Sequence, residues 1–252
     1  MRLITLVVVF FLLYPQNIYA EVQDNGIVVN VIHSYPFAYL DEHKQWTGTH
    51  YEYMQAISKK SGVPFDIKVI PRARIIHNLK SGKCDATIMF RFTKRDPFVK
   101  YAGIIREIKI IALNKKGQKL GLYQDLYKSE MIGILRTQSV STEFSNDKNL
   151  NIHEADNYPQ LVKMLSMDRL DTIVGNAIAL TNILNELNLM SAVELPAFPL
   201  AYKQQWFQFS NKSNHLDKLE KINEAIETLK QDGTFDTILT RHVGNGWKEL
   251  NK

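Results

Sequence analysis

The sequence predicts an α/β protein of two lobes, each a sheet with helices on both faces, joined by two extended crossings. Short apolar runs typical of buried strands alternate with amphipathic helical segments. This alternation occurs twice along the chain, and long extended runs at 106–117 and 200–210 follow the two sets. We therefore expect residues 21–110 and 203–252 to form the first lobe and residues 111–202 the second.

The first set reads as three strands separated by two helices. The strand-like runs are GIVVNVIH (26–33), VPFDIKVI (63–70) and CDATIMF (84–90). The helical segments are THYEYMQAISKKSG (49–62) and RARIIHNLKSG (72–82). Each helical segment stops at a glycine, a common helix-ending residue. A β-α-β-α-β order is typical of a sheet with parallel crossovers and helices on its faces.

The second set repeats this plan, and two helices close the chain. The strand-like runs are MIGILR (131–136), NIHEAD (151–156) and LDTIVG (170–175). The helical segments are SVSTEFSND (139–147), YPQLVKMLSMDR (158–169), NAIALTNILNELNL (176–189), HLDKLEKINEAIETLKQDG (215–233) and TFDTILTRHVG (234–244). Leu79 precedes Asp85 by six positions, and Leu165 precedes Asp171 by the same interval. This echo supports two lobes built on one plan.

The N-terminal segment predicts export. Arg2, an apolar run over Leu3–Tyr14 and the small residue Ala20 match a signal peptide of residues 1–20, cleaved near Ala20. The run is too short to span a bilayer, so an N-terminal membrane anchor is the less favoured alternative. The single cysteine, Cys84, excludes an internal disulfide and a lipid-attachment cysteine after the run. We expect a periplasmic protein that is not a lipoprotein.

The charge distribution argues against a nucleic-acid partner. Lysine and arginine total 31 against 26 acidic residues, but the basic residues are scattered and form no long block. The sequence holds neither a G-x-S-x-G elbow nor an H-E-x-x-H motif, and its seven histidines are dispersed. We therefore expect no enzyme activity, no cofactor and no metal site.

Five segments resemble, in order, the bacterial extracellular solute-binding proteins of family 3. They are YPFAYLDEHKQWTGTHYEYMQAISKKSG, LKSGKCDATIMFRFTKRDPFVKYAG, MIGILRTQS, LDTIVGN and KINEAIETLKQDGTFDTI. The resemblance covers nearly the whole mature chain. It implies the two-lobed periplasmic binding protein fold of type II, a small ligand held between the lobes, and delivery by a monomer to the membrane permease of an ABC importer.

The resemblance also implies which residues contact the ligand. Arg95 falls at the family's carboxylate-binding arginine, although one residue fewer separates Thr93 from Arg95 than in many members. A guanidinium suits a carboxylate because two parallel donors meet two oxygens. Arg91 is either a second anion contact or an ion-pair partner of Asp96. Asn176 takes the place of the carboxylate that holds an α-ammonium group, and it brings no charge.

Further candidates follow from the same comparison of motifs. They are Met89, Phe90, Tyr35, Phe37, Thr49, His50, Tyr51, Arg136, Gln138 and Ser139. For the aromatic members, core packing is an equally good reading. The resemblance places Arg91, Arg95 and Arg136 near one cleft, and no acidic residue stands at the family's ammonium-binding position. This predicts a ligand more anionic than a standard amino acid.

Two other functions remain open from the sequence. An orphan ligand sensor or scavenger is the second choice after an amino-acid or organic-acid binding protein. A cyclic-acid dehydratase on the same fold is the third, and it would need a base such as Glu143 or Asp156 aimed into the cleft.

Overall fold

The structure of the protein is a computed structural model that describes residues 26–136, 138 and 140–250. The predicted signal peptide, with its cleavage point at Ala20, and the candidate residue Ser139 lie outside the described residues. Within the described part of the chain, no helix is both long and apolar enough to cross a membrane.

One large mixed sheet of eight strands organises the molecule, and a small hairpin stands apart from it. The strands are β1 (Ile27–Ile32), β2 (Tyr39–Leu40), β3 (Trp46–Thr47), β4 (Phe65–Ile70), β5 (Ala86–Phe90), β6 (Val99–Asn114), β7 (Ile132–Leu135), β8 (Ile152–Ala155), β9 (Thr172–Asn176) and β10 (Phe198–Ser210). Their order in the large sheet is β4-β1-β5-β10-β6-β9-β7-β8, and β2 pairs with β3.

Among the described residues, the first seven helices fall in segments that the sequence predicts as helical, and the eighth, Trp247–Leu250, was not predicted. They are α1 (Thr49–Ser61), α2 (Arg72–Ser81), α3 (Thr142–Asn146), α4 (Tyr158–Ser166), α5 (Ala177–Glu186), α6 (Leu219–Gln231), α7 (Thr234–Val243) and α8 (Trp247–Leu250). Short 3-10 helices cover Thr93–Phe98, Tyr123–Lys128, Met190–Ala192 and Leu216–Lys218.

The two-lobed plan predicted from the sequence is confirmed. In the first lobe β4, β1 and β5 run parallel, and in the second lobe β8, β7 and β9 do the same in the same order. The long strands β6 and β10 pair antiparallel along nearly their whole length and pass through both lobes as the two crossings. β6 begins at Val99, seven residues before the extended run expected from Arg106, because residues 99–104 pair with the end of β10.

Each lobe has helices on both faces of its part of the sheet. In the first lobe α1, α6 and α7 bury the main core on one face, and α2 covers the other through Leu79. In the second lobe α4 and α5 pack on one face, and α3 packs on the opposite face through Phe144. Because both faces are covered, most residues of the parallel inner strands are apolar, as in parallel sheets generally, although β1 contains Asn30 and β5 contains Thr87.

The sequence echo at Asp85 and Asp171 has a structural cause. The Asp85 carboxylate accepts a hydrogen bond from the backbone N–H of Val28 at 2.9 Å, where β1 begins. The Asp171 carboxylate accepts one from the backbone N–H of Met131 at 3.2 Å, just before β7. In each lobe an aspartate next to the inner strand therefore ties down the start of the neighbouring strand, where a backbone donor would otherwise lack a partner.

Candidate functional site

A small cavity of about 30 Å³ lies between the lobes. Its lining comes from the first lobe, from the two crossings and from the start of α5 in the second lobe. The lining residues are Pro36, Phe37, Thr49, His50, Tyr53, Arg106, Ile108, Asn176, Ile178, Ala179, Gln205 and Leu239. Interfaces between lobes are a preferred place for small-molecule sites.

The first-lobe wall depends on a glycine at the start of α1. Gly48 has φ of 119°, and a Cβ there would lie 2.6 Å from the carbonyl oxygen of Phe37. This close approach lets Thr49 donate from its backbone N–H to the oxygen of Pro36 at 2.8 Å, while His50 donates to the oxygen of Phe37 at 3.0 Å. The loop before α1 is thereby fixed, and Thr49 and His50 lie against the cavity.

His50 is a buried, neutral imidazole. Its side chain packs 4.5 Å from the ring of Phe37, measured between ring centroids. Burial lowers its pKa from 6.5 to about 3; the hydrogen bond with Gln205 opposes this shift, and the charge of Arg106 adds to it. Its Nδ1 is buried and has no hydrogen-bond partner among the described residues.

Arg106 brings a permanent charge to the same space. It extends from β6, pairs with Asp236 at 2.7 Å, and its side chain is 9% exposed. The guanidinium carbon lies 4.7 Å from the ring centroid of Trp247. Its Nε is buried, and no described group accepts its proton. A buried polar atom left unpaired costs about 1–3 kcal/mol, and Arg106 Nε is such an atom.

Asn176 forms the second-lobe wall and also caps α5. Its Oδ1 accepts hydrogen bonds from the backbone N–H groups of Ile178 at 2.9 Å and Ala179 at 3.3 Å. Its own backbone N–H donates to the hydroxyl of Tyr158 at 3.0 Å. An asparagine is among the best residues for such a cap, so Asn176 is fixed in place by the fold.

The predicted site residues therefore divide into two groups. Phe37, Thr49, His50 and Asn176 meet at the cavity. Arg95 is 6% exposed and bonds within its own lobe. Its guanidinium donates to the carbonyl oxygen of Phe90 and, at 3.4 Å, to Gln208 Oε1. Burial lowers the pKa of Arg95.

Arg91 forms the ion pair with Asp96 that is one of the two roles considered for it. Its guanidinium lies 3.5 Å from the carboxylate of Asp96. Its guanidinium carbon also stands 4.8 Å from the ring centroid of Tyr101. The pair is about half exposed, so it is screened by solvent and contributes little to stability.

The remaining first-lobe candidates are not in the lining of the cavity. Met89 is buried, and Phe90 packs against the apolar cluster between the lobes. The Tyr35 hydroxyl donates a hydrogen bond to the backbone oxygen of His242 at 2.8 Å. Tyr51 faces the outer side of α1, where it lines a surface depression with Phe65 and others.

In the second lobe, the predicted loop residues Arg136 and Gln138 are not in the lining of the cavity. Arg136 pairs with Asp156 at 3.2 Å and approaches Glu154 at 3.9 Å. Both polar atoms of the Gln138 amide are buried and lack a partner in the described chain. Glu143 is exposed at the start of α3. Neither Glu143 nor Asp156 is in the described lining of the cavity.

Sequence reasoning missed Arg106 and Gln205, which reach the cavity from the two crossings. The signal in the sequence is Arg106 itself, a charged residue at the start of the long extended run 106–117. Its partner Asp236 stands 130 positions further along the chain, so the sequence does not show that this charge is buried.

Comparison with known proteins agrees with this architecture. The family model described as bacterial extracellular solute-binding proteins, family 3, matches residues 27–245. The "Probable amino-acid-binding protein YxeM" of Bacillus subtilis (strain 168) is 27% identical over 233 residues, covering 84% of this chain and 84% of that protein. The "Probable histidine-binding protein" of Neisseria gonorrhoeae is 24% identical over 216 residues, covering 82% and 78%.

A solved structure entitled "An ancestral arginine-binding protein bound to arginine" superposes with a TM-score of 0.64. It is 25% identical and covers 86% of this chain and 98% of its own. The fold, the order of the motifs and the family match over most of the chain lead to one conclusion. The chain belongs to the bacterial extracellular solute-binding proteins of family 3.

Proposed function

We propose that the protein captures a small carboxylate-bearing solute, an amino acid or a related organic acid, between its lobes and delivers it to an ABC-type importer. The observation that carries this proposal is the cavity between the lobes, where His50, Arg106 and Asn176 meet a largely apolar lining. The names of its relatives, an amino-acid-binding and a histidine-binding protein, support the solute class. Family membership supports the delivery role and a periplasmic monomer.

Capture requires the lobes to move. A cavity of about 30 Å³ has room for about one water molecule, so a whole amino acid enters only when the lobes separate. We propose that residues 21–110 and 203–252 move against residues 111–202, with β6 and β10 as the hinge. Closure about a few residues in crossing strands is a familiar mode of domain motion.

Arg95 and Arg91 are proposed as further ligand contacts at the end of β5. A guanidinium has five N–H donors. Arg95 can keep its contacts with Phe90 and Gln208 and still present other donors to a carboxylate. Gln138, whose amide has no described partner, is proposed to contact the solute from the second lobe.

The test begins with the protein secreted to the periplasm. Its N-terminal sequence should start near Glu21, whereas an intact Met1 in the membrane fraction would contradict export. Mass spectrometry of the denatured protein should release a retained small carboxylic acid. Adding that acid at a hundredfold excess over its dissociation constant should stabilise the fold by about 2.7 kcal/mol. Small-angle scattering should then show a smaller radius of gyration than the solute-free protein.

The proposal fails if no small acid is retained and no member of a panel of amino acids and organic acids raises the melting temperature. It also fails if catalysis is found instead, which turnover of retained acid during incubation would reveal.

A further inference from the structure

Helix α5 of the second lobe is buried on two sides. Leu180 and Leu184 pack into the core of that lobe. Ile178, Thr181 and Asn182 are each at most 8% exposed, and their helical spacing places them together on another face. A helix that is buried nearly all round needs cover on both sides. The cover over this second face comes from the first lobe.

The apolar part of this cover is the segment 244–250 that follows α7, which we call the clasp. Gly246 lies directly against α5, because a Cβ there would stand 3.0 Å from Asn185 Nδ2 and 3.3 Å from Thr181 Cγ2. The backbone of the clasp therefore rests on the second lobe only because residue 246 has no side chain.

Trp247 joins the clasp to three elements at once. Its side chain is largely buried and packs with Ile178 of α5. Its Nε1 donates to the hydroxyl of Thr240 in α7 at 3.0 Å, and its ring lies 4.7 Å from the guanidinium carbon of Arg106 in β6. The indole thus connects the C-terminal helices and a crossing strand to the second lobe.

The Tyr35 hydroxyl is the polar part of the cover. It donates to the backbone oxygen of His242 at 2.8 Å and accepts from Asn182 Nδ2 at 3.4 Å. His242 is itself fixed in the first lobe, because its Nε2 lies 2.7 Å from the carboxylate of Glu52 and its side chain is 5% exposed. Tyr35 therefore offers α5 an oxygen whose position the first lobe determines.

We propose that the clasp and the Tyr35 hydroxyl form a closing device that holds a fraction of the solute-free molecules with their lobes together. The inference goes beyond the proposed function and rests only on its lobe movement about β6 and β10. The closed arrangement leaves a cavity of about 30 Å³, with room for about one water molecule. The device therefore sets the fraction of solute-free molecules that stand open to receive a solute.

Small-angle scattering of solute-free protein tests this without any solute. The exported protein is unfolded in guanidinium chloride, dialysed and refolded, so that any retained molecule is removed. Gly246→Val places a branched side chain between the clasp and α5. It should enlarge the radius of gyration and raise the fitted ratio of open to closed molecules severalfold.

The control for the clasp is Gly121→Val. Neither Gly121 nor Gly246 has a positive φ, so backbone strain is matched. A Cβ at Gly121 would meet only Asp125 Oδ2, at 3.7 Å. This variant should keep the wild-type ratio of open to closed molecules.

Tyr35→Phe tests the polar contact, because it removes only the hydroxyl. It should also raise the ratio of open to closed molecules severalfold. Its control is Tyr127→Phe, since the Tyr127 hydroxyl bonds to Asp147 at 2.8 Å within the second lobe. This control should match wild type.

The proposal is overturned if either Gly246→Val or Tyr35→Phe keeps the wild-type ratio, or if its control raises the ratio as much. If Gly246→Val does not unfold cooperatively by circular dichroism, Tyr35→Phe and its control decide alone. A retained solute together with unchanged ratios would remove this inference and leave the proposed function standing. Raised ratios in a protein that retains and binds no small acid would do the reverse.

Discussion

Acidification should destabilise the protein through His50, whose imidazole is 3% exposed. Burial lowers the pKa of this group from 6.5 to about 3. Between these values the unfolded chain binds a proton at this position and the folded protein does not. The stability that the neutral imidazole contributes is therefore complete above pH 6.5 and is lost progressively as the pH falls towards 3.

The magnitude follows from the two pKa values. Each unit of separation corresponds to about 1.4 kcal/mol, so at pH 5, which is 1.5 units below 6.5, the loss is about 2 kcal/mol. Near pH 3 it approaches about 5 kcal/mol. Because whole domains are stable by about 5–15 kcal/mol, a loss of this size is easily measured.

The assay compares variants, so that the titration of other groups cancels. Urea unfolding is followed by circular dichroism at pH 7.5 and pH 5 for wild type, His50→Gln and His43→Gln. Wild type should lose about 2 kcal/mol more between the two pH values than His50→Gln. His43→Gln is the control, since the His43 side chain is 74% exposed, and it should follow wild type. Equal losses in wild type and His50→Gln would refute the reasoning.

Three further comparisons between variants probe contacts that the fold creates. Arg95→Ala should lower the free energy of unfolding by about 1.5–3 kcal/mol, the range for a charged hydrogen bond, while Arg91→Ala should cost under about 1 kcal/mol as an exposed pair; equal costs in urea unfolding would contradict this. Trp247→Ala should cost about 3–5 kcal/mol and enlarge the radius of gyration in small-angle scattering, and Trp247→Phe should recover much of both; an unchanged radius would speak against a role in closure. Gly48→Ala should cost more than Gly117→Ala in thermal unfolding, because both have positive φ but only Gly48 has backbone atoms within 3 Å of the added Cβ; similar melting temperatures would count against the close approach.

The elements of the fold could be read from local patterns, because apolar periodicity and helix-ending glycines act within a few residues. The start of β6 could not be read from such a local pattern. Residues 99–104 mix polar and apolar side chains, and they become a strand because they pair with β10, about 100 positions later. The short hairpin of β2 and β3 was likewise missed, since two-residue strands leave no periodic signal.

The site was accessible from sequence only in part, and for the same reason. Phe37, His50 and Asn176 sit in motifs that resemble the family, and they line the cavity. Arg106 lies in no such motif. Its burial depends on Asp236 and Trp247, which come from the C-terminal helices. Ligand contact by Arg95 stays a prediction, because a guanidinium bonded to its own lobe retains further donors.

The apolar cluster between the lobes bears on how tightly any solute binds. Ile108, Ile178, Leu239, Val243 and Trp247 pack together from the crossing, the second lobe and the C-terminal helices. The closure that we propose would bury this cluster whether or not a solute is present, so the protein itself would stabilise the closed state. For a ligand that binds only the closed state, the apparent affinity falls in proportion to the fraction of molecules that are closed. Loosening the cluster should therefore reduce affinity through a residue that never touches the solute.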